Sequence, residues 1–331
     1  MNKITKINRR EFITGSAAAA AAAAVGLAAR GSAADSHFHA VPSSPLPTRA
    51  FGKTGARLPI LTHGCGSRWM MYEDEQALEV IERAIDGGIT YLDSAHNYGK
   101  SGRSEKLIGT LMPARRKDVL IQTKVSDRDP DVWWSMLETS LKRLNVDYVD
   151  TLLIHQLGRD NDLAKLERKG GVLEQLYKAR EQKLARWIGF SSHTDGTTAA
   201  KFIRRHDIDA VQMAINVATD GPYDFGHEER ALPAAVEKGI GIIAMKVMGQ
   251  DNIANKYDEF DAATCLRYSL SLPVTTATVG MPKPEHLEWN LESVREFKPF
   301  APERMTEIKG KARGKIETSF LDFMRGHDDV A

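Results

Sequence analysis

From residue 48 onward the chain alternates between short apolar, β-branched runs and longer stretches whose apolar positions recur every three or four residues. The short runs are Leu58–Thr62, Thr90–Asp93, Val119–Thr123, Tyr148–Ile154, Arg186–Phe190, Ala210–Ala214, Gly241–Ala244 and Thr275–Val279. They are nearly continuous in hydrophobicity, which predicts strands covered on both faces. The longer stretches predict a helix from Asp74, its cap, to Asp86, closed by Gly87-Gly88. Others are predicted over roughly 104–111, 131–144, 172–183, 197–206, 228–238, 259–271 and 285–296. Several strand–helix units repeat at about 30 residues, as crossovers between parallel strands require. Periodicity does not separate a closed barrel from an open doubly wound sheet. Eight units without a G-x-G-x-x-G after an early strand favour a (β/α)8 TIM barrel. Gly52-Lys53-Thr54-Gly55 reads as the turn of an N-terminal β-hairpin, and Pro302 to Phe323 as an extra C-terminal helix. Residues 48–331 therefore read as one barrel domain.

The N-terminus follows a different rule. Arg9-Arg10-Glu11-Phe12-Ile13 is a twin-arginine pattern followed by an apolar run, Ala17 to Ala29, too short and alanine-rich for a comfortable membrane span. Ser32-Ala33-Ala34 supplies the small residues that a signal peptidase reads. Residues 1–34 read as a twin-arginine signal peptide cut after Ala34, leaving no stable membrane anchor. Residues 35–47, with Pro42, Pro45 and Pro47, read as a flexible leader. The implied partner is the twin-arginine export machinery and the implied destination the periplasm. That route carries folded proteins, so a cofactor can be loaded before export.

Composition narrows the chemistry little. With 45 basic and 44 acidic side chains, the chain offers no general attraction for nucleic acid. Cys65 and Cys265 lack metal-ligand spacing and read as buried thiols, and no metal site is expected; His37 and His39 in the leader are two apart by chance.

Polar, titratable residues gather at the carboxyl ends of the predicted strands. Asp93 ends the second and runs into Ser94-Ala95-His96-Asn97-Tyr98-Gly99; Lys124 ends the third and His155 the fourth. Ser191-Ser192-His193 ends the fifth, Gln212 lies on the sixth with Asn216 after it, and Lys246 ends the seventh. In a barrel all these ends share the face on which active sites are built.

The segment Gly88 to Gly99 with Ser104-Glu105, the segment Leu141 to Asp150 ending at Ile154-His155, and Ala185 to Ser192 together resemble the aldo-keto reductases. The likeness runs from about residue 48 to 296. It implies reversible hydride transfer between a nicotinamide cofactor and the carbonyl of an aldehyde or ketone. Tyr98 would be the general acid; a phenol, with a pKa of ~10, needs help near neutral pH. Lys124 beside it would favour the phenolate, Asp93 would pair with Lys124, and His155 would polarise the carbonyl oxygen.

The same resemblance assigns cofactor contacts to Ser191, Ser192, Gln212, Lys246, Met248, Gly249, Gly280, Lys283, His286 and Asn290. Departures are concentrated here. Ser192 stands where asparagine is commoner, and Met245 takes the slot of an aromatic ring that stacks on nicotinamide. Gly280 to His286 replaces a serine- and arginine-rich grip on the 2′-phosphate, and Trp289 replaces a glutamate before Asn290. The helix start near Glu285 still presents amides to a phosphate. NADP(H) is favoured over NAD(H), with Lys283 and His286 as the cations.

On the substrate side Trp69 is a candidate pocket wall, and the charged stretch Leu157 to Gly171 reads as a lid or a solvated insertion. Two rival readings share the barrel: a Schiff-base aldolase using Lys124 or Lys246, and a cofactor-bound sensor or scaffold without turnover.

Overall fold

A computed structural model of the chain describes residues 37–218, 226–316 and 324. The signal-peptide reading of residues 1–34 and most of the C-terminal helix beyond 316 fall outside the described residues.

Eight parallel strands close a barrel: β3 (Leu61–Gly64), β4 (Tyr91–Asp93), β5 (Leu120–Val125), β6 (Val149–Ile154), β7 (Ala185–Ser192), β8 (Ala210–Ala214), β9 (Gly241–Met245) and β10 (Thr276–Val279), with β10 returning to β3. A separate antiparallel pair, β1 (Thr48–Ala50) and β2 (Arg57–Pro59), precedes them. The first predicted strand, Leu58–Thr62, is thus divided: Leu58 belongs to the hairpin and Leu61 starts the barrel. Pro59, lacking an N–H, sits where ladder pairing ends.

Around the barrel lie α1 (Asp74–Asp86), α2 (Arg103–Arg115), α3 (Pro130–Leu144), α4 (Asp160–Glu167), α5 (Val172–Glu181), α6 (Gly196–Arg205), α7 (Leu232–Lys238), α8 (Ala262–Ser271), α9 (Pro284–Arg295) and, as the extra C-terminal helix, α10 (Pro302–Lys315). Their amphipathic stripes explain their placement. In α1 the buried residues are Ala77, Val80, Ile81, Ala84 and Ile85, one face at helical spacing. Glu73, not Asp74, takes its cap position. In α3 the Asp129 carboxylate accepts from the amides of Asp131 and Val132, and Asn145, at φ 54°, ends the helix.

The lower barrel interior is an apolar plug of Leu58, Tyr91, Leu120, Leu153, Trp187, Ala210 and Ile243. Phe51 of the hairpin turn enters it edge-on to Trp187 at 5.2 Å and to Tyr91 at 6.2 Å. A side chain at Gly241 would collide with the Phe51 ring. The upper interior turns polar: the Tyr91 hydroxyl lies 2.9 Å from Gln122 Oε1 and 2.7 Å from Thr151 Oγ1.

The leader departs from the flexible expectation over residues 37–47. The His39 amide donates to the Tyr148 hydroxyl at 2.8 Å, its ring Nδ1 lies 2.6 Å from the same oxygen, and Phe38 packs edge-on against Tyr148. Ser44 donates to the Gly88 carbonyl at 2.6 Å, and Leu46 is buried in the main core. Three prolines restrict the free chain, so docking it costs less entropy than a glycine-rich tether would. The charged stretch after His155 is likewise ordered, as α4. Arg128 clamps Asp162 through two bonds of 2.7 and 2.8 Å, and Lys201 holds Asp160 at 2.6 Å.

His63, on β3, faces the helix layer, fully buried and perpendicular to the Trp69 ring. Neither of its ring nitrogens has a hydrogen-bond partner. Burial lowers its pKa to about 4 from the ordinary 6.5. As pH falls the unfolded chain protonates first, so this contribution is intact above pH 6.5 and lost as pH drops through 4. It amounts to about 3 kcal/mol. The thermal midpoint should therefore fall steeply over that interval, and His63→Leu should flatten the slope; identical slopes in the two proteins would contradict the assignment. Separately, Tyr148→Phe should speed amide exchange across residues 38–46 and lower stability by about 1 kcal/mol; unchanged exchange there would mean that the aromatic packing alone holds the leader.

Candidate active site

Side chains of parallel barrel strands alternate between the interior and the helix layer. Tyr91 and Asp93 on β4 therefore point inward, as do Gln122 and Lys124 on β5, and the register pairs Asp93 with Gln122. This brings opposite charges together at the carboxyl end. Lys124 Nζ donates to Asp93 Oδ1 at 2.6 Å, to the Ser94 carbonyl at 2.8 Å and to the Tyr98 hydroxyl at 3.1 Å. Lys124 is 1% exposed and Asp93 3%, so both charges have left water. Asp93 completes its own shell by accepting from Gln122 Nε2 at 2.6 Å on one oxygen and from Gln212 Nε2 at 2.7 Å on the other. Removing either member of so buried a pair costs about 3–5 kcal/mol.

Tyr98 reaches this pair from the loop between β4 and α2. The loop is pinned by the His96 amide on the Lys124 carbonyl (2.9 Å), the Tyr98 amide on the Ala95 carbonyl (3.1 Å) and the Ser104 amide on the Tyr98 carbonyl (3.1 Å). The Tyr98 ring passes over Gly66, where an added Cβ would lie 3.2 Å from it. His155 follows β6; its ring is edge-on to Tyr98 at 5.9 Å, and Arg128 donates to its carbonyl at 3.1 Å. The four residues expected to form the catalytic set thus share one mouth.

A cleft of about 410 Å³ opens from Tyr98 and Asp93. Of the expected cofactor residues, Lys246, Met248, Gly280, His286 and Asn290 line it. Met245, in the slot of the missing aromatic ring, lines it too. Lys283 is exposed and occupies the cap position of α9, while Gly249 starts a tight turn at φ 62° beyond Met248; neither lines the cleft. Ser191 and Ser192 on β7 and Gln212 on β8 are fully buried. Ser191 Oγ accepts the Gln156 amide at 2.9 Å, and Ser192 Oγ lies 3.0 Å from His227 Nε2. Burial, then His193, depresses the His227 pKa to about 3. Ser192 is thus committed to a neutral imidazole.

These residues fit a nicotinamide dinucleotide. Gln212 Oε1 is a buried acceptor without a partner, beside the ion pair, and its complement would be the amide N–H of a carboxamide. At the far end, His286 and Asn290 of α9 line the cleft close to that helix's N-terminus.

Other expectations fail or were incomplete. Trp69 is fully buried and its Nε1 donates to the Ala77 carbonyl at 3.0 Å, so it belongs to the core. Gln122, Gly66 and Arg68 at the site escaped the sequence reading. Inward register could have marked Gln122; nothing local marks the other two. Trp289 stands 60% exposed on the cleft wall, a position its helix spacing alone did not distinguish. Among the described residues there is no cluster of three or more metal-ligating side chains, and no helix is long and apolar enough to cross a membrane.

Comparison with known proteins agrees with the barrel fold. Residues 6–26 match the model of the TAT (twin-arginine translocation) pathway signal sequence, so the chain carries that export signal. D-threo-aldose 1-dehydrogenase from a Pseudomonas species is 26% identical, over 76% of this chain and 93% of that one. Several other curated relatives are matched over only 60 to 66% of their own length. Among solved structures, the holo form of the aldo-keto reductase AKR11C1 from Bacillus halodurans superposes with a TM-score of 0.69 at 19% identity, covering 83% of this chain and 99% of that one. An aldo-keto reductase from Klebsiella pneumoniae in complex with NADPH gives 0.63 at 20% identity, covering 81% and 95%. Residues 62–262 match the model of the aldo/keto reductase family, and the chain belongs to that family.

Proposed function

We propose that this protein is a periplasmic reductase that converts an aldehyde or ketone to an alcohol at the expense of NADP(H). The observation that carries the reading is the Lys124 ammonium, 2.6 Å from the Asp93 carboxylate and 3.1 Å from the Tyr98 hydroxyl, at the floor of the cleft. When bound, the nicotinamide supplies the hydride. Tyr98 gives its proton to the carbonyl oxygen, and the resulting phenolate is balanced by Lys124. Asp93 holds that ammonium in place, itself held by Gln122 and Gln212. His155, across the Tyr98 ring, polarises the carbonyl and orients it toward the phenol. Burial of Lys124 and Asp93 raises the value of each contact, because their surroundings screen charge poorly.

Gln212 Oε1 and Ser191 would receive the carboxamide, while Ser192, held by His227, would not. Lys246 and Met248 would follow the phosphates along the cleft, with Gly249 shaping the turn beyond Met248, and Gly280, His286 and Asn290 would take the adenosine end, with Lys283 capping α9 beside it. NADP(H) is preferred on two grounds. Lys283 and His286 are basic side chains at the α9 N-terminus, and NADPH or NADP(+) is named for two related proteins. Export of a folded chain allows the cofactor to be loaded in the cytoplasm. An imine-forming role for Lys124 is disfavoured: its three N–H donors are directed at Asp93, Ser94 and Tyr98.

Tyr98→Phe should lower kcat by at least about 100-fold on any accepted aldehyde while leaving NADPH affinity within twofold. The measurement is NADPH oxidation at saturating cofactor, with binding followed by fluorescence; full activity in the variant removes the mechanism. Borohydride treatment in the presence of a carbonyl substrate should leave no covalent adduct on the protein, and an adduct at Lys124 or Lys246 would instead establish the aldolase reading.

A further inference from the structure

Directly outside the barrel wall, behind the Tyr98 loop, lies a buried polar cluster that the proposed chemistry does not use. Glu105, in the first turn of α2, is fully buried, and its Oε1 accepts the Thr123 hydroxyl at 2.7 Å. Thr123 is the residue before Lys124 and faces the opposite side of β5. From α3, Ser140 also bonds the Glu105 carboxylate, and Arg143 Nη1 lies 3.4 Å from its Oε2. The same nitrogen donates to the His96 carbonyl at 3.0 Å, in the middle of the Tyr98 loop. The guanidinium lies flat against that loop where it turns: Gly102 has φ 71°, and any Cβ there would collide with Arg143. A second bond, Ser94 Oγ to Ser104 Oγ at 2.7 Å, closes the loop on itself.

The energetic sense of this cluster is unusual for a mere helix contact. Burial works against the Glu105 charge and pushes its pKa up; Thr123, Ser140 and Arg143 oppose that shift. A carboxylate held in such a place carries a desolvation cost, so its charge is weak evidence for stability in itself, while its removal would strand Thr123, Ser140 and Arg143. What it provides is geometry. One group simultaneously fixes the strand that carries Lys124, the helix that follows Tyr98 and, through Arg143, the backbone of the loop between them.

We propose that Glu105 and Arg143 are positioning residues that set the distance between the Tyr98 hydroxyl and Lys124 from outside the barrel. The inference rests on the proposed reduction. Neither side chain touches the cleft.

The test uses the full-length protein and four variants, Glu105→Gln, Thr123→Val, Arg143→Lys and Arg143→Ala. Each should lower kcat by about ten- to a hundredfold, the scale expected for a misplacement of about 1 Å. The KM for the carbonyl and the NADPH affinity should stay within twofold, and the kcat–pH profile should move toward higher pH as Lys124 loses its hold on the phenol. Arg143→Lys should retain more activity than Arg143→Ala, because it keeps one donor for the His96 carbonyl. Hydrogen exchange at the amides of His96, Tyr98 and Ser104 should rise while β6 and β7 stay protected, a readout that needs no turnover. Folded Glu105→Gln and Thr123→Val proteins with unchanged pH profile and unchanged loop exchange would overturn the inference. If wild type reduces no carbonyl but loop exchange responds as expected, the proposed reduction fails and the structural coupling stands; if Tyr98→Phe abolishes activity while these variants do not alter it, the reverse holds.

Discussion

Taking an ammonium and a carboxylate out of water is costly, and the mouth of the barrel is organised around that cost. Asp93 and Lys124 are almost wholly buried, and their mutual attraction alone would not compensate for lost hydration. The remaining demand is met by Gln122, Gln212, the Ser94 carbonyl and the Tyr98 hydroxyl. A lysine with all three donors engaged has little freedom to rotate. The phenol beside it meets a fixed positive charge in a medium that screens it poorly. Stabilising the pair and preparing the tyrosine are the same act.

The opposite end of the barrel carries different work. Phe51, Tyr91 and Trp187 fill the base, and residues 37–47 lie across it through His39, Ser44 and Leu46. Apolar packing and backbone capping there owe nothing to the chemistry. This division lets the mouth keep a buried ion pair, a non-glycine residue at positive φ such as Gln156 or Lys246, and an orphaned amide oxygen on Gln212. Strain and unsatisfied polarity are tolerated where the scaffold beneath is well packed.

Sequence pattern located most of the barrel, because continuous apolar strands and striped helices are local consequences of burial. It erred where two elements abut. Leu58 and Leu61 are equally apolar, and only pairing showed that one closes a hairpin and the other opens the barrel. Trp69 looked like a pocket wall because aromatic residues after a strand end face either way; its indole N–H points into α1 instead. The proline-bearing leader read as a tether, since composition reports on the free chain and not on a docking surface such as Tyr148.

What the sequence by itself determined is the set of groups and their order: a carboxylate, a phenol, an ammonium and an imidazole, each at or just beyond the end of a strand, behind an export signal. Spacing of this kind is written in the covalent chain, and parallel strands of one barrel must deliver such ends to one face. The tertiary structure decided the distances, the choice of Gln212 and Gln122 as partners of Asp93, and the placing of Glu105 and Arg143 behind the Tyr98 loop. These contacts join residues about 20 to 120 positions apart, and their energies depend on exclusion of water, which no local stretch of chain possesses until the barrel closes.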